Sequence, residues 1–476
     1  MSWEMVAGVE VHVELATKTK VFCGCANAFG AEPNTFICPV CTGMPGALPT
    51  LNRQVVNYAL RAGLALGCDI SPQTAFDRKN YFYPDLPKAY QISQLFLPIC
   101  QNGSLEIETK QVTKQIRIRQ IHIEEDTGKL MHHPTQPYTL VDFNRCGVPL
   151  LEIVSQPDIS DADEAIAYLE NLREILLFLG VSDCKMQEGS LRVDLNVSVR
   201  RRGSKEPSVP TELKNINSFQ AVGRAMRWEA ARQIQVLEAG GKILRETRRW
   251  DDGKNQGVVM RSKEEAEHYR YMPEPDLPVM VIDQDWIERV RKDLPELPRE
   301  KRIRYQKEMG ISRQEACTLT GSPQMAVLFE QTAALCHNPR EAAHLIAGEV
   351  ARLCTETATR PEDLKVDAKK LAALVDMTGS GRINRTVGKE VVEQIFRYNV
   401  DPETYVAEHG LAMVCDPDVV EAAVRKVLQE QAKSVADYRN GKERAFGYLV
   451  GQVMKSLKGK GDPALVHRVL HQLLDG

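Results

Sequence analysis

Short runs in which apolar and polar residues alternate dominate residues 1–293, and this pattern is typical of half-buried β-strands. The first run is VEVHVEL (9–15), which places Glu10, His12 and Glu14 on one face because successive side chains of a strand point to opposite faces. Two carboxylates and an imidazole on one face are able to share a cation. Taken alone, however, the run is better explained as an antiparallel strand whose polar face contacts water.

The alternating pattern returns in two further runs. In RVDLNVSVR (192–200) apolar residues occupy every second position, so Asp194 lies on a second polar strand face. In IRIRQIHIEED (116–126) the alternation slips at Gln120 and then resumes, which predicts a β-bulge. Bulges often redirect side chains near active sites, and this one precedes three acidic residues, Glu124, Glu125 and Asp126. An acid-rich surface turn would have a similar sequence, so both interpretations stay open.

A single carboxylate interrupts the apolar run VPLLEIV (148–154), which otherwise has the composition of a buried strand. An ionised Glu152 in such surroundings is costly unless a cation or strong hydrogen-bond donors compensate its charge. The sequence offers Arg145 as an alternative partner for it. Oxygen ligands with at most one imidazole favour Mg²⁺ or Mn²⁺ over Zn²⁺, and Mg²⁺ in turn suggests a bound phosphate.

Helical periodicity appears first in two stretches of the N-terminal part, 51–66 and 161–180, and then throughout the chain after residue 294. The second stretch begins with an Asp in the N-cap position and ends with a Gly suited to a left-handed C-terminal cap. Beyond residue 294, runs 341–354 and 387–398 carry apolar residues three and four positions apart. We therefore expect an α+β protein with three regions: 1–293, 294–405 and 406–476.

Composition narrows the possible partners. The chain of 476 residues carries 61 basic and 64 acidic residues, for a net charge of −3, so any contact with nucleic acid has to be local. No apolar run approaches the roughly 20 residues that span a bilayer, and the N-terminus lacks the basic and apolar regions of a secretory signal. We expect a cytoplasmic protein that does not contact a membrane.

Four of the twelve cysteines are clustered, as Cys23, Cys25, Cys38 and Cys41. Two close pairs across a short loop suit tetrahedral Zn²⁺, and four thiolates would close its coordination shell, so the site would be structural. The alternative is four thiols without metal. The other cysteines are scattered and are expected to fill core positions: Cys68, Cys100, Cys146, Cys184, Cys317, Cys336, Cys354 and Cys415.

Residues 77–90 mix cations with aromatic rings, in the stretch that contains Lys79, Tyr81, Tyr83 and Lys88. Nucleotide and RNA sites use this combination for phosphate pairing and base stacking, although a surface loop with long amphipathic side chains reads the same way. The chain contains no Walker A motif, no dinucleotide-binding glycine fingerprint and no G-x-S-x-G. Any use of ATP would therefore not follow the Walker pattern.

Longer motifs resemble one family, the B subunits of the tRNA-dependent amidotransferases. The resemblance extends over essentially the whole chain and is carried by GVEVHVEL (8–15), CPVCTGMPGALPTLN (38–52), FDRKNYFYPDLPKAYQISQ (76–94), HIEEDTGK (122–129), VDFNRCGVPLLEIV (141–154), EGSLRVDLNVSVR (188–200), ELKNINSF (212–219), ETRRW (246–250), RYMPEPDLP (270–278) and GYLVGQVMK (447–455). It implies a glutamine-synthetase-like cradle domain with a mostly antiparallel sheet, an all-α linker domain and a small α-helical tail domain.

The resemblance also implies a reaction. In this family Mg-ATP phosphorylates the side-chain carboxylate of Glu-tRNA(Gln) or Asp-tRNA(Asn), and ammonia then attacks the acyl phosphate to give the amide. The ammonia comes from glutamine hydrolysis in an amidase A subunit, and a small C subunit stabilises the complex. The tail is expected to contact the tRNA body through Lys442, Arg444, Lys455, Lys458 and Lys460. A solvated lysine face would look the same.

Matching residue by residue implies the site. Glu10, His12, Glu125 and Glu152 form the expected Mg²⁺ shell. Glu124, which completes the expected catalytic set, and Asp194 are candidates for binding a second ion or for supporting the ligands of the first. Nucleotide or aminoacyl-end contacts are expected at Lys79, Tyr81, Tyr83, Lys88, Ser190, Arg192 and Asp194. Gln187 departs from the acid common in relatives, which puts one acidic contact in doubt. The alternative function is a non-catalytic tRNA-binding scaffold subunit, and the sequence does not decide which tRNA is the substrate.

Overall fold

The computed structural model describes residues 3–262, 269–414, 416–457 and 459–475, so Cys415 and Lys458 lie outside the described residues. The chain divides into two compact units, Met1–Leu297 and Pro298–Gly476. The first unit combines a large sheet with helices, and the second consists of helices among the described residues. The α+β class with a mostly antiparallel sheet and a helical C-terminal region is therefore confirmed.

Nine strands of the first unit form one large sheet. They are β1 (Trp3–Glu14), β2 (Asp69–Ile70), β6 (Cys100–Glu108), β7 (Thr113–Glu125), β10 (Pro149–Ser155), β11 (Leu191–Arg201), β12 (Thr211–Ile216), β13 (Glu246–Asp251) and β14 (Gln256–Ser262). Their order in the sheet is β14-β13-β12-β11-β1-β10-β7-β6-β2. All neighbours are antiparallel except β12 and β13, which are parallel. The polar runs read from the sequence therefore lie on adjacent strands β11, β1, β10 and β7.

Short strands complete the first unit. They are β3 (Gln73–Thr74), β4 (Asp77–Asn80), β5 (Tyr90–Ser93), β8 (Lys129–His132), β9 (Thr139–Asp142), β15 (Met272–Pro273) and β16 (Met280–Val281). A three-stranded sheet, in the order β15-β4-β5, lies against the end of β7 through contacts of β5, and two two-stranded pairs are β16-β3 and β8-β9. The loop predicted to bind nucleotide spans β4 and β5, and it is thereby fixed beside β7.

Helices cover the apolar face of the large sheet. They are α1 (Arg53–Ala65), α2 (Ala162–Leu179) and α3 (Phe219–Glu238), and α4 (Gln284–Lys292) packs on α1. Val9, Val11 and Val13 point from β1 into the core that these helices share with the sheet. The predicted caps of α2 are confirmed, because the Asp161 side chain accepts a hydrogen bond from the amide of Asp163 and Gly180 is left-handed at φ 65°. Covering one face leaves the polar side chains on the other.

The second unit contains α5 (Pro298–Met309), α6 (Arg313–Leu319), α7 (Pro323–Leu335), α8 (Pro339–Leu345), α9 (Ala351–Glu356), α10 (Ala368–Gly379), α11 (Arg385–Tyr398), α12 (Pro402–Glu408), α13 (Pro417–Glu430), α14 (Ala432–Arg439), α15 (Arg444–Ser456) and α16 (Pro463–Asp475). A π-helical turn, Ile346–Val350, joins α8 to α9, so the predicted helix at 341–354 forms with one wider turn inside it. One apolar core lies in α5–α12, and a separate one lies in α13–α16.

These two cores are compatible with a linker and a tail, but the division at residues 293/294 and 405/406 stays a prediction. No helix in the described ranges has the length and hydropathy that crossing a membrane requires.

Candidate active site

The polar face of the large sheet carries a row of ionisable side chains. Strand pairing places His122 of β7 opposite Glu152 of β10, Glu152 opposite His12 of β1, and His12 opposite Arg192 of β11. Residues directly opposite in antiparallel strands share a face with their Cβ atoms about 5 Å apart. Four strands therefore bring together side chains from distant parts of the sequence.

Three residues of this face form a compact group, which we call the His12 cluster: His12, Glu124 and Glu152. One ligand atom from each lies within 4.8 Å of the others. The Nε2 atom of His12 is 3.5 Å from Glu124 Oε1 and 3.7 Å from Glu152 Oε2. The hydroxyl of Ser93, from β5, is 3.5 Å from Glu124 Oε2. Two carboxylates and an imidazole converge on one point, which is the donor set of a divalent-cation site.

The two carboxyl groups of the His12 cluster have opposite protonation preferences. Burial raises the pKa of Glu124 above its usual range, and the neighbouring Glu152 raises it further. Burial also acts to raise the pKa of Glu152, but the imidazole of His122, 2.6 Å away, lowers it below the usual range. Burial acts to lower the pKa of His122, and Glu152 raises it above its usual value. His122 and Glu152 thus favour an ion pair, whereas the two imidazoles near Glu124, His12 at 3.5 Å and His122 at 4.0 Å, only partly offset the effects that raise its pKa.

A second group, the Glu10 cluster, lies two residues along β1 and extends to β11 and β12; it contains Glu10, Asp194 and Glu212 within 4.8 Å of one another. The ammonium group of Lys214 contacts Asp194 and lies 3.3 Å from Glu212 Oε1. Asn196 donates a hydrogen bond of 2.8 Å to Glu10 Oε1. Burial and then the charge of Glu152 raise the pKa of Glu10. The two clusters are therefore electrostatic neighbours on one surface.

Arg192 does not pair with the His12 cluster. Its Nη2 atom lies 2.5 Å from Asp126 Oδ2, and Arg145 Nε lies 3.4 Å from the same oxygen. Burial acts to raise the pKa of Asp126, but Arg192 lowers it below the usual range. The alternative pairing of Arg145 with Glu152 is wrong, because Arg145 bonds Asp126 and the carbonyls that follow it. Burial and the Asp126 charge raise the pKa of Glu14 to about 8.

Glu125 is not brought together with His12 and Glu152. It follows the phase of the core residues Ile121 and Ile123, so it points to the opposite side of β7. Its carboxylate contacts the ammonium group of Lys88 and accepts a 2.9 Å hydrogen bond from the amide of Ile92. The structure therefore places Glu124, and not Glu125, beside His12 and Glu152.

Lys88 and Glu125 line a cavity of about 80 Å³ together with Phe22, Cys41 and Tyr90. The four clustered cysteines lie beside this cavity, with one sulfur atom from each within 4.8 Å of the others. The amide of Cys38 donates to Cys41 Sγ at 3.2 Å, and Lys20 Nζ lies 3.7 Å from the same sulfur. These contacts favour a thiolate.

Hydrogen bonding from the Cys23 thiol lowers the pKa of Cys41 to about 4, against the effect of burial, and the charge of Lys20 acts in the same direction. Four convergent sulfurs, one of them already stabilised as a thiolate, have the composition of a closed tetrahedral metal site.

The predicted nucleotide contacts separate into two groups. Lys79 Nζ lies 4.9 Å from the ring centre of Tyr269 and 5.9 Å from that of Tyr81, and its charge lowers the pKa of Glu124 and Glu152. Lys79 and Tyr81 therefore face the His12 cluster. By contrast, the other predicted contacts lie elsewhere: Tyr83 is exposed, Lys88 pairs with Glu125, and the Ser190 hydroxyl bonds Asp183 and the amide of Lys185.

Comparison with known proteins shows which family has these features. The family model described as the GatB/GatE catalytic domain matches residues 5–288, and the one described as the GatB domain matches residues 327–474. The chain belongs to this family. Two relatives are each named as the B subunit of an aspartyl/glutamyl-tRNA(Asn/Gln) amidotransferase. The one from Lachnoclostridium phytofermentans is 54% identical over 99% of both chains. The one from Caldicellulosiruptor bescii is 52% identical over 100% of both. The family resemblance read from the sequence motifs is confirmed.

Sequence reasoning missed several residues of this face: His122, Glu212, Lys214, Tyr269 and Tyr271. His122 had a usable signal, since it lies two positions before Glu124 and therefore on the same face of the strand. Glu212 and Lys214 lie in the family motif ELKNINSF (212–219), whose basic part resembles a nucleotide or RNA contact as much as a surface loop, and neither residue was assigned to the site. Tyr271 is close enough for Glu124 to raise its pKa, after the larger effect of burial. Only the pairing of β12 with β11 brings Glu212 to the Glu10 cluster.

Proposed function

We propose that this chain is the subunit of a tRNA-dependent amidotransferase that activates and amidates the mischarged aminoacyl-tRNA. ATP phosphorylates the side-chain carboxylate of Glu-tRNA(Gln), Asp-tRNA(Asn) or both, and ammonia then displaces phosphate to leave the amide. Activation is needed because a carboxylate is a poor electrophile. The names of the relatives that match over the full length support this assignment.

The main structural support for this chemistry is the concentration of carboxylates on the polar face of the large sheet. Five carboxylates and an imidazole, divided between the His12 and Glu10 clusters, occupy one face of a rigid sheet beside Lys79. Buried like charges are unfavourable without a cation, and the raised pKa values of Glu10 and Glu124 reflect that cost. A sheet that served only to dock RNA would have no reason to gather them.

The donor set fits Mg²⁺. His12, Glu124 and Glu152 would hold one ion, and Glu10, Asp194 and Glu212 would hold a second, since hard cations prefer carboxylate oxygens. When bound, Mg²⁺ neutralises charge on the transferring phosphoryl oxygens and orients the acceptor. His122 would fix the orientation of Glu152 through the 2.6 Å contact between them.

The chain's own cations would assist ATP. Lys79 is held between two tyrosine rings and directed towards the carboxylates, so it is suited to pairing with a phosphate oxygen. Lys214 already neutralises part of the Glu10 cluster. Arg192 is held by Asp126, and we assign it to supporting the floor of the site rather than to contacting the nucleotide.

The four cysteines fit structural Zn²⁺. Cys23, Cys25, Cys38 and Cys41 would supply all four ligands, which leaves no open position for chemistry. The bound ion would stabilise the loop that follows β1 and would thereby position the wall of the cavity at Lys88 and Glu125.

The partners follow from the reaction. Nothing in the described face resembles a glutaminase nucleophile, so we propose that an amidase A subunit supplies ammonia and that a small C subunit joins the complex. We further propose a glutamine-synthetase-like cradle at 1–293, a helical linker at 294–405, a tRNA-contacting tail at 406–476, and the cytoplasm as the place of action.

Reconstitution with the A and C subunits tests this proposal. The complex should form Gln-tRNA(Gln) or Asn-tRNA(Asn) from the mischarged tRNA, ATP and glutamine. The variant Glu152→Gln should lose tRNA-dependent ATP hydrolysis while glutaminase activity of the A subunit and tRNA binding remain. Full ATP hydrolysis by Glu152→Gln would favour the alternative, a non-catalytic tRNA-binding scaffold.

A further inference from the structure

A second cavity, of about 310 Å³, lies between α1 and α4, and the proposed mechanism does not use it. Because α1 packs its apolar side on the core, this cavity is on the side of the sheet opposite the carboxylate clusters. Its lining includes Arg53, Asn57, Arg61, Trp286, Arg289 and Asp293. The volume is within the range of small-molecule sites in proteins.

The cavity lining carries three arginines and one carboxylate, Asp293, so positive charge is in excess. Among the described residues, no carboxylate oxygen lies within 4 Å of the guanidinium groups of Arg53, Arg61 or Arg289. The nearby Arg291 illustrates the usual arrangement, since its Nε lies 3.3 Å from Glu288 Oε1. The chain as a whole has a net charge of −3, so a local excess of positive charge is not a consequence of its composition. Three arginines without acidic partners around one cavity favour the binding of an anion there.

One guanidinium nitrogen is both buried and without a partner. The Nε atom of Arg61 is inaccessible to solvent and makes no hydrogen bond, while Nη2 of the same residue donates to the Asp293 carbonyl at 3.3 Å. A buried donor without an acceptor is uncommon and costs free energy, so such a donor points to a missing acceptor. Because Nε is closed to solvent in this conformation, an anion in the cavity lined by Arg61 would supply this acceptor after a rotation of the guanidinium group.

The remaining wall is held in place. The indole nitrogen of Trp286 donates to Asn57 Oδ1 at 2.8 Å, which joins α4 to α1. The guanidinium carbon of Arg53 lies 5.1 Å from the centre of the Trp286 ring, in a cation–π contact that orients it. Arg53 and Arg61, which these contacts and the bond to the Asp293 carbonyl orient, lose less freedom on binding than unrestrained side chains would, which favours affinity.

We propose that this cavity is a phosphate-binding site, separate from the catalytic face. Arginines that line one cavity are suited to the tetrahedral, multiply charged phosphate group, which they bind through forked hydrogen bonds. The phosphate belongs either to the backbone of an RNA or to a free nucleotide. The site does not rest on the proposed catalytic function, because none of its residues belongs to the His12 or Glu10 cluster.

Calorimetric titration of the full chain with inorganic pyrophosphate in EDTA tests the shared chemistry. The variants Arg53→Gln and Arg289→Gln change exposed side chains and should keep the fold, and Arg61→Gln removes the unpartnered donor. Each should weaken the pyrophosphate binding event about tenfold or more, since a charge-assisted hydrogen bond is lost. Arg291→Gln is the matched control, because it removes one charge from the same helix outside the cavity.

Pyrophosphate that binds elsewhere on the chain does so equally in all variants. The difference in affinity between a cavity variant and the control Arg291→Gln therefore reports binding in this cavity. Binding that is equal in all variants, or absent from the unsubstituted chain, overturns the proposal.

Two further ligands distinguish the source of the phosphate. If the phosphate belongs to an RNA backbone, the cavity variants bind unacylated tRNA more weakly than Arg291→Gln does. The salt dependence of their tRNA affinity is then reduced by about one released ion per lost contact. Weaker binding of ATP alone identifies a nucleotide. Affinities for tRNA and ATP that match the control in every cavity variant overturn the proposal, even where pyrophosphate binds. These binding measurements do not depend on catalysis, so a failure of the proposed catalytic function would not change their result.

Discussion

Replacing Glu124 by Gln separates the stability of the site from its function. Glu124 is buried, and its pKa is raised by burial and by Glu152. His122 lies 2.6 Å from Glu152 but 4.0 Å from Glu124, so it compensates the charge of Glu152 more strongly. The amide has nearly the same shape but carries no charge. We therefore expect the metal-free protein to become more stable while the Mg²⁺ site is lost.

The size of this gain follows from the geometry. The ligand atoms of Glu124 and Glu152 lie at most 4.8 Å apart. At this separation and an effective dielectric constant of about 20, two like charges repel by about 3 kcal/mol. His12, 3.5 Å from Glu124, offsets part of the repulsion. We expect Glu124→Gln to raise the free energy of unfolding in EDTA by about 1–2 kcal/mol.

Urea unfolding followed by tryptophan emission measures this change. All four tryptophans lie before residue 298, so the signal reports the first unit alone. In Mg²⁺ at 100 times its dissociation constant, the unsubstituted chain should gain about 2.7 kcal/mol, and Glu124→Gln should gain much less. A variant that is less stable in EDTA and retains the full Mg²⁺ gain would refute the reasoning.

The adjacent residue provides a control with the opposite sign. Glu125→Gln makes the same chemical change but leaves the buried ammonium group of Lys88 without its carboxylate. We expect it to lower the free energy of unfolding equally in EDTA and in Mg²⁺, because Glu125 faces away from the His12 cluster. A loss of Mg²⁺ response in this variant would place Glu125 at the ion after all.

Three further changes test other parts of the structure. Asp126→Asn removes the carboxylate that Arg192 contacts and should cost about 2–4 kcal/mol in urea unfolding, because Arg192 is only one-third exposed. A cost below about 0.5 kcal/mol would contradict this pairing. Cys38→Ser should abolish stoichiometric zinc, measured by plasma emission spectroscopy, and make the cysteine loop sensitive to chymotrypsin, which cleaves after residues such as Phe29 and Phe36. Unchanged zinc content would contradict a four-thiolate site. Burial acts to raise the pKa of Glu330, but Lys301 lowers it below its usual value. The carboxylate therefore contributes stability above its unfolded pKa of about 4, and this contribution is lost as the pH falls through the folded value. Glu330→Gln should reduce the difference in Tm between pH 7 and pH 3, measured by circular dichroism. An unchanged difference would contradict the assignment.

Local features were predicted well because they depend on neighbours in sequence. The alternation in 9–15 gives the inward valines of β1, and the phase slip at Gln120 is a real bulge, since Gln120 pairs with Val154 and Ile118 with Ser155. The helix at 161–180 forms between its predicted caps. Each of these outcomes is fixed by side-chain period or by a single capping residue.

The composition of the site was predicted less well. Sequence motifs identified acidic residues near 124–126 but did not show which of two adjacent glutamates faces His12. Strand register decides this, because a shift of one residue exchanges the two faces. The bulge upstream sets the register, so that Glu124 joins the polar face and Glu125 joins Lys88.

By itself the sequence determined the elements, their polar and apolar faces, the cysteine quartet and the family, because each is encoded in local spacing or in long motifs. Only the tertiary structure decided which charges meet. Glu152 pairs with His122 rather than Arg145, Glu212 joins Glu10, and three arginines from α1 and α4 surround one cavity. Ionic interactions act through space over a few ångströms, and the pairing of strands and helices distant in sequence sets those distances.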